Sequence, residues 1–244
     1  MRDIWFLQFH NRNHIMTAAS LLFDLDGTLA DTAGDLCETT NVILTCHGRE
    51  RVSEVRIRNL VGGGARLLLQ RGFAETGAEA TEVQLDQMFQ EFIEYYTAHI
   101  ADHSKLWPGI EPLLTRLADE DVKLAVCTNK AEGLARQLLG ELRIDHYFPV
   151  VIGGDTLSVK KPDPQHLLEA IRLLGGEHAS AIMVGDSEAD IDAAINAKIP
   201  SICVSFGYCR QPVKELGANI IIDHFDEFPA ALAQLLPEHF GSWR

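Results

Sequence analysis

The 244-residue chain predicts an α/β fold: a Rossmann-like parallel-sheet core, three layers deep (α/β/α), carrying an inserted helical cap domain. Three observations lead there. Short apolar or β-branched runs recur, each followed by a helical pattern, which is the signature of alternating strands and helices. Most of these runs fail to alternate between polar and apolar residues, as strands buried on both faces do. The first run is separated from the second by about 90 residues whose patterns are helical, an interruption expected of a domain inserted over the strand ends.

The elements follow in chain order. Strands are expected at 20–24 (SLLFD), 122–127 (VKLAVC), 149–152 (PVVI), 181–185 (AIMVG), 201–205 (SICVS) and 219–222 (NIII). Helices of the core are expected at 110–120, 131–142, 164–174, 188–197 and 226–236. In the interruption, 33–47, 53–60, 64–72 and 82–101 read as helices. "LWPGI", 106–110, returns to the core pattern. The resulting division is an N-terminal extension at 1–17, a core of 18–30 and 106–244, and a helical cap at 31–105.

Bulk properties narrow the function. Hydrophobic residues make up 46% of the chain, enough for a full core, and Asp+Glu 35 against Lys+Arg 21 gives a net charge of −14. That excess argues against a general nucleic-acid binder, which needs a basic footprint, while a few local cations can still hold a small anion. Five scattered cysteines without a C-x-x-C fit a reducing, cytoplasmic setting. No apolar run approaches the roughly 20 residues that span a bilayer. The opening "MRDIWFLQFHNRNHI" has too short an apolar patch for a signal peptide. It reads either as an extension that adds nothing to the core, or as a segment docking through Trp5, Phe6 and Phe9. The pairs His10/His14 and His99/His103 have helical i, i+4 spacing but no third ligand nearby, so zinc is not expected.

The chemistry concentrates in four stretches. In "FDLDGTLADT", Asp24 ends a strand and Asp26 follows within the turn that Gly27 permits. Two carboxylates this close repel unless a cation or a shared proton intervenes, and Mg²⁺, with its preference for hard oxygen ligands, meets that need. Asp24 then suits nucleophilic attack on phosphorus and Asp26 proton transfer. A pair of turn-forming aspartates is the plain alternative. In "CTNK", Thr128 offers a hydroxyl and an N–H at a strand end, or merely an N-cap. In "VKKPDP", Lys161 precedes a proline that restricts its backbone; it either neutralises a phosphoryl group or is solvated. In "VGDSEAD", Asp186 ends a strand and Asp190 lies one helical turn on, along one face, or the two simply favour a helix N-terminus. Each alternative explains one stretch, but none explains why every stretch follows a strand of one sheet.

These four motifs, in this order, resemble those of haloacid dehalogenase-superfamily phosphatases, from about residue 18 to 235. "VGGGARLLLQRG", "VIGGDTLSVKKPDP" and "SFGY" further resemble the bacterial phosphoglycolate phosphatase family. The resemblance implies Asp24 as nucleophile and Asp26 as general acid/base, with an aspartyl-phosphate intermediate. It implies Thr128, Asn129 and Lys161 around the phosphoryl group. It implies Mg²⁺ on the Asp24 carboxylate, the Asp26 backbone carbonyl and Asp186, with Asp190 in support.

Substrate choice would fall to the cap. "VGGGAR", 61–66, is a glycine-rich turn opening a helix; the Gly64 end can present N–H groups to an anion and Arg66 can pair with a carboxylate. The other reading is a hinge and a surface arginine. A molecule with a phosphate at one end and a carboxylate at the other, such as 2-phosphoglycolate, fits the first. The sequence therefore predicts a Mg²⁺-dependent phosphatase acting on a small phosphorylated metabolite, monomeric or homodimeric, with no nucleic-acid or membrane partner. A phosphatase for another ester such as a sugar phosphate, a phosphomutase, and a non-catalytic binding module are the competing readings.

Overall fold

The computed structural model describes residues 18–243. The extension, with Trp5, Phe6, Phe9 and the His10/His14 pair, lies outside the described residues. The strands are β1 (Ser20–Phe23), β2 (Ala30–Asp31), β3 (Lys105–Leu106), β4 (Lys123–Cys127), β5 (Val150–Ile152), β6 (Ala181–Gly185), β7 (Ser201–Val204) and β8 (Ile220–Ile222). Six of them form one parallel sheet in the order β5-β4-β1-β6-β7-β8.

Burial on both faces explains the unbroken apolar runs. In β1, Leu21 and Phe23 point into one apolar cluster with Leu124, Val126, Ile182 and Val184. Leu22 points the other way, to Ala125, Cys127 and Met183. This is the two-residue strand period dividing a single run between two layers. In register, Phe23 stands beside Val126 and Val184. The residues that follow these strands therefore emerge along one edge.

The helices are α1 (Ala33–Cys46), α2 (Glu54–Arg58), α3 (Ala65–Glu75), α4 (Glu82–Ala98), α5 (Ile110–Asp119), α6 (Glu132–Glu141), α7 (Gln165–Leu173), α8 (Glu188–Ala197), α9 (Phe228–Leu235) and α10 (Pro237–Phe240). Helices α1 to α4 all lie between β2 and β3 and pack on one another. Leu36, Ile57, Leu68, Phe92 and Tyr96 carry the apolar cluster of the sheet up into them.

Three details differ from the expectation. The long stretch of helices is bracketed by the antiparallel ribbon β2–β3, in which Ala30 pairs with Leu106 and Asp31 with Lys105. Two residues per strand are too few to show any period. Helix α4 begins at the expected place, on a capping box between Thr81 and Gln84. It stops at Ala98 rather than 101, because the His99 N–H bonds back to Tyr96 O and tightens the last turn. Helix α9 starts at Phe228, after a 3₁₀ turn at Phe225–Glu227. Pro229 in its first turn has no N–H to lose there.

Candidate active site

Strands β1, β4 and β6 each deliver one group at their ends, and the loop after the edge strand β5 delivers a fourth. Asp24 leaves β1 with its N–H bonded to Val184 O at 2.9 Å, which fixes its position at the strand end. Gly27 turns the chain at φ +87, and a Cβ there would fall 2.5 Å from Asp186 Oδ2, so the turn and the neighbouring carboxylate both require glycine. Thr128 leaves β4 with its N–H on Ile152 O at 2.9 Å. Lys161 comes from the loop after β5, with a cis peptide to Pro162. Asp186 leaves β6. It accepts Thr28 Oγ1–H at 2.9 Å on Oδ1 and the Tyr208 N–H at 2.6 Å on Oδ2.

Asp24, Asp186 and Asp190 are buried, and each offers an oxygen within 4.8 Å of the others. Lys161, only 3% exposed, stands among them with Nζ 3.0 Å from Asp24 Oδ1 and 2.5 Å from Asp190 Oδ1. Among the described residues Asp24 Oδ1 meets no donor other than this ammonium. Burial pushes the Asp24 carboxyl up to about 7; Lys161 pulls it down, and Asp190 and Asp26 push it up again. Asp186 is also held well above the ordinary carboxylate range, by burial and then by Asp190 and Asp24. Burial opposes the charge on Lys161, but Asp190 and Asp24 outweigh it and hold its pKa above the ordinary lysine value.

Asp190 plays a different part from the other two. Its Oδ2 accepts the Asp186 and Ser187 N–H groups at 3.1 and 2.9 Å and the Ser187 hydroxyl at 2.7 Å, and its Oδ1 is taken by Lys161. Oδ2 is saturated by its three donors, whereas Oδ1, with the one donor Lys161, keeps a lone pair that a cation could use. Its arrangement suits holding Lys161 and the Asp186 backbone in place.

The Asp26 side chain turns away from this cluster. Its Oδ1 accepts Thr32 Oγ1–H at 2.8 Å, and both its oxygens lie 2.9 Å from Lys130 Nζ. Asn129 donates Nδ2–H to Gly62 O at 3.3 Å and to Lys161 O at 3.2 Å, joining the insertion to the lysine loop. Lys160 Nζ donates to Gly63 O at 3.2 Å. The Gly62–Gly64 turn thus leans on the core beside the carboxylates, with Gly64 at the N-cap of α3 at φ +88.

Between the two parts lies a cavity of about 380 Å³. Asp24, Asp26, Thr128, Asn129 and Lys130 form its floor, and Gly62–Gly64, Phe89, Phe92, Ile93 and Tyr96 its roof. Arg66 stands at its margin, where its guanidinium donates to Asp86 Oδ1 at 2.5 Å and Glu82 Oε2 at 2.6 Å from α4. To meet a carboxylate in the cavity it must leave these two partners.

Residues 21–204 match the family model described as haloacid dehalogenase-like hydrolase. The chain belongs to the haloacid dehalogenase-like hydrolases. This hydrolase is 42% identical over 223 residues to a phosphoglycolate phosphatase of Caulobacter vibrioides, covering 91% of this chain and 94% of that one. It is 42% identical over 215 residues to a phosphoglycolate phosphatase of Agrobacterium fabrum, covering 88% and 92%. Its structure superposes with a TM-score of 0.82 on the crystal structure of a predicted phosphoglycolate phosphatase from Haemophilus somnus 129pt. That match has 29% identity and covers 89% of this chain and 99% of the other. The hydrolase is a phosphatase acting on phosphoric monoesters. Among its described residues, no helix is long and apolar enough to cross a membrane.

Three groups in this site escaped the sequence reading. Lys130 is the next residue after Thr128 and Asn129 in "CTNK", yet only the fold reveals that it reaches Asp26. Tyr208 closes "SFGY", and its hydroxyl accepts the Thr32 and Ala33 N–H groups at 2.6 and 3.0 Å while its own N–H holds Asp186. Tyr96 carries no sequence signal at all.

Proposed function

We propose that this phosphatase hydrolyses 2-phosphoglycolate to glycolate and phosphate, with Mg²⁺ and through an aspartyl-phosphate on Asp24. The observation that carries the chemistry is the cluster of three buried carboxylates around a single buried lysine, opening on a cavity at the strand ends. Three carboxylates against one ammonium leave an excess of negative charge out of water, and a hard divalent cation fits that donor set. Asp24 Oδ1, met by the Lys161 ammonium alone among the described residues, has acceptor capacity left for the same purpose. The residues that would hold the ion are the carboxylates of Asp24 and Asp186 and the backbone carbonyl of Asp26, with Asp190 in support. When bound, it supplies charge neutralisation for the phosphoryl oxygens.

In this reading an Asp24 oxygen attacks phosphorus and Lys161, with the Thr128 hydroxyl, offsets the charge of the phosphoryl group; the Thr128 N–H expected to help is spent on Ile152 O. Asp26 gives a proton to the departing alkoxide, then takes one from the water that cleaves the aspartyl-phosphate. Helices α1–α4, residues 31–105, serve as the cap that excludes water and selects the leaving group. The names of the relatives support glycolate as that group. Five free cysteines support a cytoplasmic setting, and the protein acts alone or as a homodimer on a small phosphorylated metabolite.

Phosphate release from a panel of phosphometabolites, ranked by kcat/KM, tests the assignment. We expect 2-phosphoglycolate to lead, EDTA to abolish turnover and Mg²⁺ to restore it. Asp186→Ala should raise the Mg²⁺ concentration needed for half-activity by at least about tenfold. Full activity in chelator would refute the metal role; a sugar phosphate at the head of the ranking would refute the substrate.

Arg66 separates the two readings of the cap. If it releases Glu82 and Asp86 to bind the substrate carboxylate, Arg66→Ala should lower kcat/KM for phosphoglycolate by about tenfold or more. For p-nitrophenyl phosphate the change should stay below about threefold, since that ester has no carboxylate to lose. Equal losses on both would make Arg66 a strut between α3 and α4.

A further inference from the structure

Lys130 is buried, 8% exposed, on the floor of the cavity, and the catalytic scheme above gives it no task. Its ammonium has three well-defined neighbours. Both Asp26 oxygens lie 2.9 Å away, and so does the hydroxyl of Tyr96, whose ring face it also approaches at 4.7 Å from the centroid. Lys130 follows β4 in the core, whereas Tyr96 belongs to α4 in the insertion. One ammonium therefore joins the Asp26 side chain to the helix that roofs the cavity.

A buried lysine costs much unless its charge is met. Here burial opposes the charge, but Asp26 and then Tyr96 outweigh it and hold the lysine protonated. The ammonium donates to both oxygens of one carboxylate, and Thr32 Oγ1 adds a third bond on Oδ1. Together they leave the Asp26 carboxylate little rotational freedom. General acid–base catalysis depends on such placement, because the proton must pass to an oxygen within hydrogen-bond reach.

We propose that Lys130 is the positioning residue for Asp26, and that Tyr96 sets Lys130 from the cap, so that Asp26 is aligned by the position of α4. The inference rests on the reading of Asp26 as the acid and base of a phosphoryl transfer. A lysine that simply attracted the phosphate would act alike on every phosphate ester. One that orients Asp26 affects kcat/KM, which covers the steps through departure of the leaving group, only when the departing oxygen needs a proton; its part in the later attack of water is shared by all esters and falls in kcat.

The experiment compares kcat/KM for an alkyl ester, 2-phosphoglycolate or the best alkyl phosphate of the panel, with that for p-nitrophenyl phosphate, whose leaving group departs unprotonated. Asp26→Asn is the reference and should depress the alkyl ester selectively. Lys130→Met should lower the alkyl value by about 10- to 100-fold, within the range of general acid catalysis, and the aryl value by less than about threefold. Lys130→Arg should recover part of the alkyl loss. Tyr96→Phe, which keeps the ring and the charge, should cost the alkyl ester about three- to tenfold through the lost hydroxyl contact. In an Asp26→Asn background, Lys130→Met should add nothing further, as residues acting through one group are not additive. Equal losses on both esters for Lys130→Met and Tyr96→Phe, with Asp26→Asn still selective, would overturn the positioning role and leave Asp26 as the acid. Absence of selectivity in Asp26→Asn itself would overturn the acid–base reading and this inference with it. If Lys130→Met fails to fold, Lys130→Arg and Tyr96→Phe carry the comparison.

Discussion

Asp24→Asn should yield a folded protein with kcat reduced on the order of 10³-fold or more, because an amide oxygen is too weak a nucleophile to form the phosphoryl bond. The fold is expected to persist for a reason visible in the site. Lys161 keeps its 2.5 Å contact with Asp190, so no ammonium is stranded, and asparagine fills the same space without the charge that burial disfavours. A melting temperature equal to or above wild type in metal-free buffer, together with lost turnover, would complete the expected result. A tenth of wild-type kcat retained in purified, Mg²⁺-loaded variant would remove Asp24 as the nucleophile.

Lys161→Met is expected to have a large effect on stability as well as on rate. It deletes the ammonium between Asp24 and Asp190, 3.0 and 2.5 Å away, and leaves buried carboxylates facing one another. Breaking a buried ion pair by removing one partner costs about 3–5 kcal/mol, which at this size corresponds to a fall in Tm of roughly 6–20 °C. The loss should depend on pH in a definite direction. Asp24 titrates at about 7 rather than at 3.8, so the folded protein holds a proton there that the unfolded chain releases. Stability from this group is greatest at low pH and declines as pH rises through 7. Without Lys161 the decline should continue to higher pH, since the anion then meets no cation and the carboxyl holds its proton longer. Mg²⁺ should restore part of the lost Tm by supplying the missing positive charge. Melting curves in EDTA and in Mg²⁺ between pH 6 and 8 read all of this; a variant melting like wild type in EDTA would show that the carboxylates share protons instead of relying on the lysine. Turnover should fall by about 10²-fold or more, because the ammonium would no longer oppose the phosphoryl charge.

The sheet was readable because its strands lie between two layers. Six apolar runs stand within one residue of the six strands found, and a run that must be apolar on both faces is visible without any period. The same logic placed Asp24, Thr128, Lys161 and Asp186 beyond strand ends. The structure brings Asp24, Lys161, Asp186 and Asp190 together. What could not be read depends on contacts between distant parts of the chain. Lys130 and Asp26 are 104 positions apart, and Tyr208 and Thr32 176. Nothing local distinguishes Tyr96 from Tyr95, although Tyr96 is buried and meets Lys130 while Tyr95 stacks on His99. Arg66 shows the same limit. Its sequence context, after three glycines, pointed to a ligand, and the packing of α3 beside α4 gives it Glu82 and Asp86.

The ribbon β2–β3 has a consequence for how this enzyme could be rebuilt. The chain leaves the sheet domain through Ala30 and Asp31 and returns through Lys105 and Leu106, and these four residues pair across the ribbon. Departure and return are side by side, so the 70-odd residues between them behave topologically as a cassette plugged into a two-pin socket. Another helical module with neighbouring ends could be spliced in at the same joints while the carboxylates stay where β1 and β6 put them, and on the function proposed above the exchange would change the leaving groups admitted. Two fittings limit the exchange. From the socket, the Tyr208 hydroxyl grips the backbone of Thr32 and Ala33, the first residues of the cassette, and on the positioning role proposed for Lys130 a replacement must offer it a hydroxyl where Tyr96 now stands.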